Sequence, residues 1–225
     1  MRHEEQRCRA MTHRTIVLAG ATGLVGQELL ASLLSDPTVA AVHTLGRRAP
    51  ALQHPKLAAH VVDFAALPTI PEADEVYLAL GTTIKVAGSQ AAFRAVDFDA
   101  NLAVAEAALA SGARRAGLVS AMGADSKSRV FYSRVKGELE DALGALPFSR
   151  LAIARPSLLV GNRDALGQQN RTGEEIGYAV SQALGFLIPA NYKPIQAAAV
   201  ARALLAAVPS DAGAKVMLSG EMQPR

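Results

Sequence analysis

The amino-acid sequence predicts a doubly wound α/β fold, a parallel sheet of about seven strands with helices on both faces. Three observations carry that prediction. Short apolar runs of strand length alternate with longer helical runs along most of the chain; the first of them ends directly in a glycine-rich turn; and half of the 225 residues are hydrophobic, enough to fill one core of that size.

The elements follow in order. The run from Thr15 to Ala19 is β-branched and apolar, as expected of a buried parallel strand. Gly20-Ala21-Thr22-Gly23-Leu24-Val25-Gly26 comes next, and Leu24, Leu29, Leu30, Leu33 and Leu34 then recur at helical spacing until Ser35-Asp36-Pro37 supplies a stop. Further strands are expected near 41–45, 60–63, 75–80, 116–120 and 149–154, with the clearest helices over 96–111 and 133–144. Past Arg155 the alternation loosens into a Gly, Asn and Gln-rich loop over 161–173, helices near 174–185 and 195–208, and a last strand near 215–219. Right-handed crossovers then give the strand order 3-2-1-4-5-6-7. Residues 1–14 are expected to be a flexible tail upstream of a start at Met11, and 15–225 a single domain in which 161–194 form a substrate-side loop and helix.

Composition excludes several classes. The formal charge is +3, but residues 1–14 hold four arginines against two glutamates, so the body is nearly neutral and nucleic acid is not an expected partner. Apolar stretches such as 151–153 and 200–208 fall well short of the roughly 20 residues of a membrane span, so no membrane association is expected. Cys8 is the only cysteine, which fits a reducing compartment and sets the expectation of a cytoplasmic protein. All five histidines lie in the first 60 residues, whereas an α/β-hydrolase needs one downstream of its nucleophile. With no His pair at i, i+4 and no second cysteine, no metal site is expected.

The glycine turn points to a dinucleotide. A Rossmann turn needs glycine where the chain bends sharply, where its backbone meets a pyrophosphate and where the helix presses on the sheet, and the helix N-terminus then receives negative charge. Gly20, Gly23 and Gly26 suit those places, with Ala21, Thr22, Leu24 and Val25 between them. The spacing GxxGxxG is one residue longer than GxGxxG, and a tight strand-to-helix turn is the plainer alternative. About 20 residues on, where NAD enzymes place an acid for the ribose hydroxyls, stand Arg47 and Arg48 and no acid. That favours NADP(H), with NAD(H) as the alternative cofactor; a pair of solvated loop arginines is the competing reading. Asp63-Phe64 and Leu80-Gly81-Thr82-Thr83 close two further strands, at the edge where open sheets hold their ligands, and are read as approaching adenine and nicotinamide; ordinary turn chemistry is the alternative.

Tyr132 and Lys136 lie four apart on one helix face. A phenol with a pKa of about 10 is a poor acid-base at neutral pH, and a neighbouring ammonium favours the phenolate. Lysine also suits the nicotinamide ribose, while tyrosine exchanges a proton with a carbonyl or alcohol as hydride moves.

The GxxGxxG turn, the LGTT segment, VSAMGAD, YSRVK and ARPSLLVG together resemble an atypical short-chain dehydrogenase/reductase, in the NAD(P)H-binding group around the Tat-interacting-protein oxidoreductase and its small bacterial relatives. The resemblance runs from about Thr15 to the end. It implies a seven-stranded Rossmann sheet, Tyr132 and Lys136 as catalytic pair, and Ser120 as a carbonyl-orienting hydroxyl or a cofactor contact only. It also sets Arg155-Pro156-Ser157 beside the nicotinamide, unless the segment is only an edge-of-sheet turn, and puts Asp97 where many extended members have asparagine. The implied function is a reductase or dehydrogenase acting on a small carbonyl or alcohol. The alternatives are a non-catalytic dinucleotide sensor or scaffold, favoured by the incomplete serine cluster, and a sugar-nucleotide epimerase, disfavoured because only about 65 residues follow strand six. Ile176, Tyr178, Val180, Leu184, Phe186 and Leu187 read as helix-to-core packing, with a pocket wall or a homo-oligomer interface as the alternatives.

Overall fold

The computed structural model describes residues 13–160, 189–210 and 213–223. The strands, in chain order, are β1 (Arg14–Ala19), β2 (Val39–Gly46), β3 (Leu57–Val61), β4 (Glu75–Leu78), β5 (Arg115–Val119), β6 (Arg150–Arg155), β7 (Leu159–Val160), β8 (Ile195–Gln196) and β9 (Gly213–Leu218). Seven of them form one sheet in the order β3-β2-β1-β4-β5-β6-β9, and all its pairings are parallel. This is the doubly wound Rossmann order expected. The two-residue strands β7 and β8 pair with each other, Leu159 opposite Ile195. They are too short to show any periodicity in the sequence.

β1 is central and buried on both faces, which is why it reads as an unbroken apolar run. Alternate side chains go to opposite sides: Ile16 and Leu18 join one core cluster, Val17 and Ala19 the other. The first cluster is closed by α1 (Leu24–Ser35), through Leu29 and Leu33, and by a later helix at Ala197–Ala207, through Val200 and Leu204. Alanines at 197, 199 and 201 are buried there, so that helix lies close to the sheet.

The opposite face is covered by a helical run that the sequence placed at 96–111 and that starts earlier. After α2 (Ile84–Ala87), Ser89 caps α3 (Gln90–Arg94) by accepting from Ala92 N–H at 3.1 Å. A π-helical turn, Ala95–Ala100, then passes without a break into α4 (Asn101–Ala110). Val104 and Ala108 of α4, with Leu139 and Leu143 of α5 (Phe131–Ala145), build the second cluster. The remaining helices are α6 (Ala197–Ala207) and α7 (Ser219–Met222).

One boundary is corrected. Arg14, expected in the tail, opens β1; its guanidinium donates to both carboxylate oxygens of Glu75 at 2.9 and 3.0 Å and to Asp36 at 2.7 Å. Glu75 is fully buried at the amino end of β4 and also meets Arg115, on β5, at 3.2 Å. A buried carboxylate needs such partners, and the neighbouring strands supply them. Residues 1–12 of the expected tail, the 161–173 loop and the helix near 174–185 lie outside the described residues.

Candidate functional site

The site is built at the carboxyl edge of the sheet. Gly20 has φ +86°, and a Cβ there would come within 2.4 Å of the Ala79 carbonyl oxygen; a Cβ on Gly26 would lie 2.0 Å from the Gly20 carbonyl oxygen. Glycine is therefore required twice, once by the left-handed bend and once so that α1 can lean onto the turn. Gly23 caps α1 with extended backbone and donates its N–H to Gly20 at 3.0 Å. No side chain caps this helix and no acid occupies its first turn, so Leu24 and Val25 begin a helix whose positive end is open to an anion. Ala21 is buried and Thr22 half-buried within the turn.

Where the turn presses on the end of β4, the chain runs on through Leu80, Gly81, Thr82 and Thr83. Leu80 turns its side chain into the second core cluster. Thr82 N–H donates to Asp97 Oδ2 at 2.8 Å, and the other oxygen of that carboxylate lies 2.6 Å from Lys136 Nζ. Both charged side chains are almost wholly buried. The π-helical turn carries Asp97, and such a turn often marks a functional position in a helix. One turn later Asn101 donates through Nδ2 to the carbonyls of Leu80, at 3.2 Å, and Asp97, at 3.1 Å, tying the turn to the strand end. Gly81 lies against both members of the ion pair. Thr83 is spent locally: its hydroxyl accepts from Val86 N–H at 3.2 Å and caps α2.

Tyr132, Lys136 and Glu140 form a row at i, i+4 and i+8 on α5. Tyr132 stands in the wall of a cavity of about 340 Å3, with Ala121 and Met122 from beyond β5, Pro156, Ser157 and Leu158 from beyond β6, and Tyr192. Its ring packs on Phe93 of α3, centroids 5.5 Å apart. Burial pushes the phenol above its ordinary value, Lys136 pulls it down and Asp97 pushes it up again. The expected lowering by Lys136 is thus outweighed, because the phenol is desolvated and the ammonium is paired with a carboxylate.

Glu140 was missed in the sequence, although its spacing of four from Lys136 is a readable signal. Ser120, buried just beyond β5, donates its hydroxyl proton to Glu140 in a short hydrogen bond. Arg155 grips the same carboxylate from β6, through Nε at 3.0 and 3.1 Å and through an Nη at 2.5 Å. The expected role of Ser120 as donor to a substrate carbonyl therefore meets a competing acceptor, and Arg155 presents its charge to Glu140. Ser157 likewise donates to the Lys193 carbonyl and lies 2.9 Å from the Ser219 hydroxyl, leaving Pro156 as the plain apolar member of its segment.

Arg47 and Arg48 follow β2, both exposed, beside the turn whose Gly20 N–H donates to the Leu45 carbonyl at 3.3 Å. Asp63 is exposed but turned back, accepting from Ala65 N–H at 3.0 Å to cap a short 3-10 turn. Phe64 packs half-buried on the second core cluster. The glycine cradle and the uncapped helix fit a nicotinamide dinucleotide; the Asp63 carboxylate, already engaged, contributes least to that fit.

No family model matches the chain. It is 35% identical over 180 residues to the protein fmp52, mitochondrial, of Emericella nidulans, covering 76% of each chain. It is 34% identical over 206 residues to FMP52, mitochondrial, of Candida albicans, covering 82% of this chain and 83% of that one. Among solved structures it superposes with a TM-score of 0.64 and 14% identity on the Bordetella bronchiseptica enzyme WbmG in complex with NAD, over 93% of this chain and 74% of that one. That likeness is one of fold. The relatives correct two expectations. They carry the name Fmp52 and not that of the Tat-interacting-protein group, and they are named as mitochondrial, which overturns the cytoplasmic placement. A lone cysteine speaks for reducing conditions and does not distinguish one reducing compartment from another. With identities above 30% over three quarters or more of each chain, this protein belongs to the Fmp52 family.

Proposed function

We propose that the chain is an NAD(P)(H)-dependent oxidoreductase of the atypical short-chain dehydrogenase/reductase type, with NADP(H) preferred, acting on a small carbonyl or alcohol. One observation carries the reading: the glycine cradle and the Tyr132–Lys136 helix converge on the end of β4, where Gly20 abuts Ala79 and Gly81 abuts Lys136. The resemblance of YSRVK and ARPSLLVG to atypical short-chain dehydrogenase/reductases, and the NAD complex of the structurally similar WbmG, support it.

When bound, the nicotinamide supplies or accepts the hydride. The chain does the rest. The turn from Gly20 to Gly26 and the open end of α1 would hold the pyrophosphate, Arg47 and Arg48 a ribose phosphate, and Lys136 the nicotinamide ribose. Tyr132, a neutral phenol at neutral pH, gives its proton to the substrate oxygen in reduction and takes one from an alcohol in reverse. Lys136 stabilises the phenolate left behind, and Asp97 fixes where that ammonium stands. We further propose a small-molecule substrate, no nucleic-acid or membrane partner, and self-association as a homo-oligomer. The second reading, a dinucleotide sensor without turnover, is favoured by the hydrogen bond that turns Ser120 onto Glu140.

The test compares NADPH oxidation over a carbonyl panel for the native protein and Tyr132→Phe. Turnover that falls about 100-fold or more in the variant, with NADPH affinity kept, supports the reading. If both proteins bind NADPH and neither oxidises it faster than buffer, the sensor reading replaces it. Equal affinities for NADH and NADPH, unchanged in Arg47→Ala with Arg48→Ala, would remove the arginines from the cofactor preference.

A further inference from the structure

We infer that the cavity beside Tyr132 takes an uncharged, apolar carbonyl compound, such as an aromatic or branched aliphatic aldehyde or ketone, and not a phosphorylated or nucleotide-linked one. As a statement about substrate, this rests on the oxidoreductase reading above.

The walls are carbon. Met122, Pro156, Leu158 and the ring of Tyr192 face the space, and no charged residue lines it among the described residues. Its polar groups are few and mostly engaged. Ser157 gives its proton to the Lys193 carbonyl and meets Ser219 at 2.9 Å, so the phenols of Tyr132 and Tyr192 are the hydroxyls left, and Tyr132, the less exposed of the two, is placed to orient a single oxygen. Two neighbouring cations are also engaged: Arg155 grips Glu140, and Lys136 is paired with Asp97 at 2.6 Å. A phosphate entering here would lose water without meeting an Arg or Lys side chain in the wall, an unfavourable exchange. Size points the same way, since about 340 Å3 lies near the small end of ligand sites, which run from about 300 to 1,000 Å3. Leu158, 40% exposed, and the ring of Tyr192, 65% exposed, make a largely apolar mouth with one phenol where a sugar would need several hydrogen-bonding groups.

The experiment measures binding and turnover separately, on the full chain with and without saturating NADPH. Saturation-transfer NMR and competition give affinities for benzaldehyde and cyclohexanone against glyceraldehyde 3-phosphate and UDP-glucose, while NADPH oxidation is followed in parallel. The expected result is at least about tenfold tighter binding of the apolar pair, with Leu158→Arg narrowing that ratio by about tenfold. Equal or tighter binding of the phosphorylated pair, or binding of neither pair, overturns the inference. Apolar preference without NADPH oxidation upholds the ligand class and sinks the oxidoreductase reading, so the two fail separately.

Discussion

Lys136 Nζ stands 2.6 Å from Asp97 Oδ1 in a nearly dry position, so the helix that carries Tyr132 is pinned to the π-helical turn and, through Thr82 N–H, to the end of β4. Breaking one side of such a pair leaves a buried charge uncompensated. Lys136→Met should cost about 3–5 kcal/mol of stability, and Asp97→Leu together with Lys136→Met should recover most of it. Because Lys136 lowers the Tyr132 pKa, the single variant should also move the alkaline limb of the carbonyl-reduction rate upward. Denaturant melts and a pH–rate profile read the two effects; full additivity of the two substitutions would argue against the pairing.

Gly26→Ala and Gly144→Ala should act in opposite directions. The first places a methyl 2.0 Å from the Gly20 carbonyl oxygen and should abolish dinucleotide binding, measured by NADPH fluorescence titration. The second adds a methyl to open space on α5 and should stabilise by about 0.5–1 kcal/mol. Unchanged NADPH affinity in the Gly26 variant would remove the close approach of α1 from the account of the cradle.

Glu75→Gln tests the opposite edge of the sheet. Arg14 and Arg115 lose their shared anion, but both are partly solvent-exposed and Arg14 keeps Asp36, so the variant should be destabilised by about 1–3 kcal/mol. Its NADPH affinity, measured below the melting transition, should not change, since the cluster lies at the amino ends of the strands. A loss of affinity with stability intact would contradict that separation.

His43 on β2 and His60 on β3 share a 3.0 Å contact between Nδ1 and Nε2, which suits one neutral donor and one acceptor. Burial, and then His60, lowers the His43 pKa from its ordinary value of about 6.5. The unfolded chain therefore takes up this proton before the folded one does. Stability should be fully present above about pH 6.5 and decline as pH falls from there towards the folded pKa, then level off for this group. Thermal melts between pH 8 and 5 on the native protein and His43→Gln check it: the variant should show a flatter profile.

What could be read in advance was whatever depends on residues close in sequence. Strand β1, the turn at 20–26 and helix α1 are a continuous statement in the chain, and the sheet order follows from alternation and handedness alone. Tyr132 and Lys136 could be paired because a helix brings i and i+4 together. Glu140 obeys the same spacing, but its meaning depends on Ser120 and Arg155, which reach it from two other strands. The π-helical turn was hidden because a hydrophobic pattern does not report one extra residue in a helix. Asp63 and Thr83, for which ordinary turn chemistry is the alternative reading, are each a local cap, and turn residues at a ligand-facing edge look alike whether they serve the backbone or a ligand.

The length of the chain between Arg94 and Asn101 is itself a determinant of the site. An α-helix advances about 100° per residue, so deleting one residue from Ala95–Ala100 would let the turn relax to ordinary pitch and rotate everything before it by about that angle relative to α4. Asp97 would swing away from Lys136 while every side chain in the motif stayed the same. In a lineage of such proteins, gain or loss of a single codon there would switch the ion pair on or off, so two relatives with identical YSRVK motifs need not share a chemistry.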